Sequence, residues 1–284
     1  MKKKILVSIV LGVLVLTAVL LPGYIYKRSL GNNDEIINVV YSEKVFALND
    51  SGKLIGQVVA LSQEDASKLT MSDEIRQKWE LLTTHQELLP DGYSSVLSNK
   101  ADLVDYKIAD NVLSINTTSD ITTSLGRKAA EAIVWTFCEH DIKEVVLKVN
   151  DEVINNFNDF TFKKLTKDIG INFTYETMFL HEATATTIVK TTETQTIATT
   201  YFHLNTDVCD YIVSKILETS SVSDLYDYEL GVDYLNMTFN DKSILPSSII
   251  DDLSASVMLN FDINRFSLND LETVLYEIDI TPQE

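Results

Sequence analysis

The side chains able to do chemistry in this chain are few, and their spacing keeps them apart. Four histidines, His85, His140, His181 and His203, have no partner at the i, i+4 separation that sets two imidazoles on one helix face for a metal ion. His140 follows Cys138 by two residues, which turns the two side chains to opposite sides of a helix and makes a poor ligand pair. The histidines therefore read as exposed or capping residues. The GxSxG, GxGxxG and GxxxxGK[ST] patterns are lacking, and with only 9 glycines the chain has little material for a backbone phosphate cradle.

Acidic groupings such as Asp105 with Asp110, or Asp207 with Asp210, could serve as a general acid and base or hold calcium. The D-x-[DN]-x-[DN]-G-x₅-E loop is missing, however, and an aspartate at a helix start already has a role against the helix dipole. No catalytic residue, metal ligand or cofactor-binding residue is assigned on this basis. The chain reads as a non-enzyme with no cofactor.

Cys138 and Cys209 are too few for a disulfide framework. A bridge between them would join the two halves of the chain, yet each occupies an apolar helix position, where a reduced thiol behaves as a small hydrophobe; burial is the favoured reading. Trp79 and Trp135 sit on apolar helix stripes and are expected in the core. The Thr-rich stretch Thr184 to Ile197 offers either an edge for strand addition by a partner or an ordinary half-exposed antiparallel ribbon.

The amino terminus reads Met1-Lys2-Lys3-Lys4, then an uncharged run from Ile5 to Tyr26 whose apolar core, Ile5 to Leu21, approaches the roughly 20 residues of a membrane-spanning helix. A signal peptide has a shorter apolar region ending at a small-x-small site, which Ala18-Val19-Leu20-Leu21-Pro22-Gly23 does not supply. Residues 1–28 are therefore expected to be an uncleaved anchor. Lys27 and Arg28 partly balance the three leading lysines, so orientation rests on the short basic head and large body, which favour an exported body.

Five of the 23 Lys and Arg residues lie in or beside that segment, leaving 18 against 42 Asp and Glu. Such a body repels phosphate backbones, and no basic cluster with interleaved aromatics stands outside the membrane flanks, so nucleic acid is not an expected partner. Acidity on this scale keeps an exported domain soluble.

What remains is architecture, and the chain writes it twice. Asp105-Tyr106-Lys-Ile108-Ala-Asp-Asn-Val112-Leu113-Ser-Ile115 is echoed about 120 residues later by Asp227-Tyr228-Glu-Leu230-Gly-Val-Asp-Tyr234-Leu235-Asn-Met237. That spacing is domain-sized rather than solenoid-sized. In the first copy a hairpin (36–48, turn Asn49 to Gly52, 54–61) precedes a helix capped at Ser72 with Ile75, Trp79 and Leu82 inward. A second hairpin (101–108, 112–116), a helix (124–140) and a strand (144–149) complete it. The second copy repeats the order: hairpin 184–204, a helix capped by Thr206, strands 226–230 and 234–239, a helix starting at Pro246, and a closing strand 272–280. About six residues more than in the first copy then separate its last helix from its last strand.

The expected fold class is α+β: two tandem two-layer domains, each helix-strand-strand-helix-strand with an added N-terminal hairpin, behind one transmembrane helix. Residues 36–151 form the first, 152–170 a polar linker with Lys163, Lys164 and Lys167, and 171–284 a diverged second.

The run Glu87-Leu88-Leu89-Pro90-Asp91-Gly92-Tyr93, the hairpin Val104 to Asn116, the helix Gly126 to Phe137 and the strand Ile142 to Asp151 resemble the GerM domain. The resemblance covers most of 36–151 and, more weakly, 184–280. It implies a non-enzymatic extracytoplasmic protein of spore-forming bacteria, associated with sporulation and germination. The implied module is similar to the ring-building motif of envelope-spanning assemblies. In such an organism Asn116-Thr-Thr, Asn172-Phe-Thr and Asn236-Met-Thr, which match the glycosylation pattern, mean little. The chain departs from the germination namesake in lacking a lipoprotein cysteine, and its second copy lacks a counterpart of Pro90-Asp91-Gly92.

The expected role is thus assembly at the outer face of the cell membrane, with an envelope protein or further copies of the chain as partner. The alternative is an anchored envelope hydrolase or wall-fragment-binding protein using a carboxylate pair between the modules.

Overall fold

The computed structural model describes residues 41–61, 65, 68, 74–139, 141–158, 160–175, 183–218, 226–239, 245–269 and 274–279. The expected anchor, the Ser72 cap, His140 and His181 lie outside the described residues. Among the described residues no helix is long and apolar enough to cross a membrane.

In the first half, β1 (Tyr41–Asn49) and β2 (Leu54–Leu61) form the expected hairpin, its turn tied by Asn49 Oδ1, which accepts from Ser51 N and Lys53 N. Helix α1 (Glu74–Leu82) buries Ile75, Trp79 and Leu82, as the i, i+4, i+7 spacing requires. The Pro90-Asp91-Gly92 turn, closed by Tyr93 N to Pro90 O, delivers β3 (Tyr93–Ser94) onto β1. Strands β4 (Leu103–Ala109) and β5 (Val112–Thr117) meet in a two-residue turn whose Asp110 and Asn111 both have positive φ, the backbone that matches strand twist. Helix α2 (Gly126–Phe137) then carries the chain back so that β6 (Glu144–Val149) lies parallel to β5.

The 152–170 stretch is not a linker. It forms β7 (Glu152–Val153) on β6, the small ribbon of β8 (Asn156–Phe157) and β9 (Phe160–Thr161), and a short 3-10 turn, Lys167–Ile169. Phe157, Phe162 and Leu165 are buried in the first core. Its lysines hid this in the sequence, because the apolar residues between them are irregularly spaced and show neither helix nor strand period.

In the second half, β10 (Thr174–Tyr175) precedes the hairpin of β11 (Thr184–Thr191) and β12 (Gln195–His203). Helix α3 (Val208–Leu217) is capped by Asp207, which accepts from Cys209 N at 2.8 Å, rather than by Thr206. Strands β13 (Tyr226–Leu230) and β14 (Tyr234–Phe239) are followed by α4 (Ser247–Asn260), β15 (Arg265–Asn269) and β16 (Val274–Asp279).

The repeat is one of topology. Both four-stranded sheets run antiparallel, parallel, antiparallel: β4-β5-β6-β7 and β13-β14-β15-β16. Leu113 pairs with Val145 and Ile115 with Leu147 in one; Leu235 pairs with Phe266 and Met237 with Leu268 in the other. This corrects the closing strand of the second copy. The counterpart of β6 is β15, and residues 274–279 form the antiparallel fourth strand that matches β7. With only Phe266 and Leu268 apolar in five residues, β15 has a weak sequence signal, and placing the strand later created the apparent insertion.

The two halves also share a sheet. Residues Gln195 and Thr196 of β12 pair with Gln57 and Gly56 of β2, giving one six-stranded sheet from both N-terminal hairpins, with order β10-β12-β2-β1-β3 and β11 on the other side of β12. Val189 and Ala198 accordingly belong to the first hydrophobic core, whereas Ile188, on the opposite face, belongs to the second.

Candidate functional site

A cleft of about 770 Å³ lies where the halves meet, between the Phe160–Tyr175 segment, the start of α2, the β10–β12 strands and the end of α4. Its position follows from the junction residue Asn172, whose left-handed backbone (φ 47°) reverses the chain out of the first core. The Asn172 amide donates to Leu54 O at 2.6 Å and Ala198 O at 3.0 Å, and its oxygen accepts from Leu54 N at 2.8 Å. One side chain thus joins a first-half strand to a second-half strand. Beside it, Ile171 N donates to Thr200 Oγ1 and Thr200 N to Ile171 O. At Gly170 (φ +70°) a Cβ would stand 2.8 Å from both Phe173 Cε1 and Thr200 Oγ1, so only glycine allows this approach.

Arg127, Lys163, Lys164 and Lys167 line the cleft, against one carboxylate, Asp168. Arg127 is held by Glu131 (3.0 Å) and Ile169 O (2.5 Å), with its guanidinium over Phe173 at 4.1 Å and Phe160 at 5.1 Å. Lys167 lies 5.0 Å from the centre of the Trp135 ring. Burial pushes its ammonium pKa below the ordinary lysine value, with Glu139 pulling the other way and Lys44 adding to the depression. Lys164 pairs with Glu144 at 2.9 Å. In the same lining, the rings of Tyr175 and Phe202 stack at 5.0 Å and 18°, with Phe173 5.5 Å from Phe202.

The residues weighed in the sequence are scattered. Asp105 is exposed on β4, and Asp110 shapes the β4–β5 turn. Asp207 caps α3 and accepts from Tyr228, whose phenol is pushed up to about 12 by burial and by that hydrogen bond; Asp210 accepts from Tyr226, whose pKa burial and Asp210 also raise. These aspartates thus have structural work. The facing carboxylates expected between the modules in the hydrolase reading are not in the cleft, where Asp168 stands among cations.

His85 contacts Glu87 at 3.0 Å. His203 is 3% exposed, contrary to its reading as an exposed or capping residue: its ring stacks on Tyr211 at 3.7 Å and Nε2 meets Thr186 Oγ1 at 2.8 Å. Alternation along β12 places it inward, and the sequence reading did not apply that register. Among the described residues no three His, Cys, Asp or Glu side chains gather closely enough to hold a metal ion. Cys138 and Cys209 are free and buried, one in each core. Trp79 and Trp135 are buried, donating to Ala101 O and Gly170 O.

The Thr-rich hairpin is not an open edge. Beyond β12 lie β2 and β10, and the outer side of β11 is bonded to α4 through Asp252, Ser256 and Asn260. The stretch is half-exposed, as the ribbon reading has it: Thr186, Thr187 and Thr196 are buried, while Thr184, Thr191, Thr192, Thr194 and Ile197 are exposed. The cationic, aromatic-lined cleft itself was missed, because its residues come from the stretch read as a linker and from strands distant in sequence.

The class so defined is a tandem α+β protein whose two modules share topology and are fused through a common sheet. No protein-family model matches the chain, and no curated protein matches it. Among solved structures the chain is similar to the tandem GerMN domains of the sporulation protein GerM from Bacillus subtilis, at 14% identity over 82% of this chain and 92% of that one, with a TM-score of 0.60. The first GerMN domain of the same protein is also similar, at 15% identity over 45% of this chain and 99% of that one, with a TM-score of 0.37. The chain has the two-domain GerM-like fold, as the residues around Pro90-Asp91-Gly92 implied.

Proposed function

We propose that this chain is a membrane-anchored scaffold of the bacterial envelope whose two modules act outside the cell by docking on other proteins, in a role related to sporulation. The observation that carries the reading is a repeated surface. Ile108 at the end of β4 and Leu230 at the end of β13 occupy the same register, opposite Leu113 and Leu235, and are 50% and 49% exposed. Both lie on edge strands of open sheets, where unpaired backbone groups and apolar side chains together suit strand-edge association. The tandem GerMN structure, described as that of a sporulation protein, supplies the biological setting. The run Ile5 to Leu21 supplies the anchor.

The test is a photoreactive residue placed at 108 or 230 of the full chain in intact cells. Discrete adducts at both positions, reduced when the neighbouring Lys107 or Glu229 is reversed in charge, are the expected result. Failure to trap a neighbour at either position, with the detergent-extracted chain strictly monomeric, would overturn the reading.

A further inference from the structure

We propose that the cleft between the modules binds an acidic glycan, with Lys163 holding its carboxylates and a sugar ring lying on the Tyr175–Phe202 platform. This goes beyond the assembly reading and does not depend on it, since edge strands β4 and β13 contribute nothing to the cleft.

Charge is the first argument. A chain with formal charge −19 gathers four cations and one carboxylate around this cavity. Arg127 and Lys164 are already paired with Glu131 and Glu144, so they contribute a screened field. Lys163 is exposed and has no ion pair among the described residues, whereas the Lys167 ammonium turns toward Trp135 and Glu139, neither of which lines the cleft.

The platform is the second argument. Tyr175 is 57% exposed although it stacks on Phe202, so aromatic surface reaches solvent at the cleft wall. Exposed aromatic surface at a polar site matches the C–H face of a sugar, whereas an acidic peptide would use the cations and gain nothing specific from the ring. Polynucleotides also stack, but their charge density sets them against the field of an acidic body. A polymer with one carboxylate every few rings combines a stackable face with sparse charge. The volume lies within the ~300–1,000 Å³ of ordinary ligand sites.

The walls are fixed rather than adaptable. Arg127 is clamped between two rings, Gly170 abuts Phe173, and Asn172 locks the strands behind. Preorganisation of this kind lowers the ordering cost of binding.

The test is calorimetric titration of the full chain in detergent with hyaluronan hexasaccharide, against maltohexaose, hexaglutamate and a thymidine hexanucleotide. The expected result is binding of the acidic sugar and none of the neutral one, weakened about tenfold or more by Lys163→Glu and separately by Tyr175→Ala. Both side chains are exposed, so unchanged melting curves confirm that the variants are folded. Absence of acidic-sugar binding, binding untouched by either substitution, or stronger binding of hexaglutamate or the oligonucleotide than of the sugar would each overturn the proposal. Loss of edge crosslinking at positions 108 and 230 leaves this result unaffected.

Discussion

The side-chain amide of Asn260 stands where a neighbouring strand would stand: its oxygen accepts from Thr187 N at 2.8 Å, and its nitrogen donates to Thr187 O at 2.6 Å. Ser256 repeats the arrangement with Val189 N (3.0 Å) and Val189 O (3.3 Å), and Asp252 accepts from Thr191 N at 2.7 Å. Steps of four along a helix advance about 6 Å and steps of two along a strand about 6.8 Å, so the two ladders stay in register for three rungs. The first module uses one such rung, Thr136 Oγ1 accepting from Phe46 N at 2.9 Å.

Removing a rung leaves a strand's polar groups facing an apolar helix. Asn260→Ala should cost about 2 kcal/mol, because it removes two short bonds at Thr187, whereas Ser256→Ala, which loses one good bond and one long one at Val189, should cost about 1 kcal/mol. Urea denaturation of the two variants measures this. Equal costs, or a negligible cost for Asn260→Ala, would show that water replaces the helix side chains.

Asn172 makes a sharper case, since its amide joins Leu54 to Ala198 across the shared sheet and its backbone is left-handed. Asn172→Ala loses about 3 kcal/mol of buried hydrogen bonding and about 1 kcal/mol more in backbone strain. Asn172→Gly keeps the first loss and avoids the second, so it should be the milder variant by about 1 kcal/mol. Chemical denaturation that ranks alanine at or above glycine in stability would refute the strain component.

The thiols give a readout that needs no mutation. Burial, with Glu144 and Glu139 adding and Lys167 opposing, pushes Cys138 up to about 11; burial with Asp207 and Asp210 pushes Cys209 up to about 12. The thiolate is the nucleophile, so at pH 8 maleimide labelling of the native chain should run about 100-fold slower or more than in denaturant. Rapid native labelling at either cysteine would mean that its core opens readily.

How far the sequence revealed the fold depended on how local the signal was. The β4–β5 hairpin was legible because Asp110-Asn111 supplies the turn and Leu113 and Ile115 alternate inward. Helix α2 was legible from its continuous apolar stripe. The fusion of the halves was not, because it rests on Gly56 and Thr196 pairing across 140 residues and on one asparagine. At Gly56 a Cβ would lie 2.9 Å from the Phe46 ring and 3.1 Å from Thr196 Cβ, a constraint visible only once the strands are side by side. The same holds for the cleft, whose lysines look like solvated linker charge until Tyr175 and Phe202 are brought into the same lining.

The last expectation concerns the ion cluster that closes the first module. Lys78, 3% exposed, lies 3.3 Å from Glu139, 2.5 Å from Glu74 and 3.6 Å from Glu43, and Glu139 also binds Lys44 at 2.5 Å. Burial works against the Lys78 ammonium, yet the surrounding carboxylates more than offset it and hold the pKa above 10.5. Burial likewise works against the Glu139 carboxylate, but Lys44 and Lys78 bring its pKa below 4.5. For the raised lysine, the stabilisation is fully present below pH 10.5 and fades as pH rises through the folded value. For the depressed glutamate, it is present above pH 4.5 and fades as pH falls through the folded value. The cluster therefore contributes a plateau between those limits. Glu139→Gln should cost about 2 kcal/mol at pH 7 by removing the carboxylate that Lys78 and Lys44 share, with Glu74 and Glu43 still on Lys78. The gap to the parent should narrow as pH falls below 4.5, where the parent's own carboxylate takes up its proton. Denaturation midpoints followed from pH 7 into acid decide the matter, and a gap that stays constant would mean that Glu139 acts through packing rather than charge.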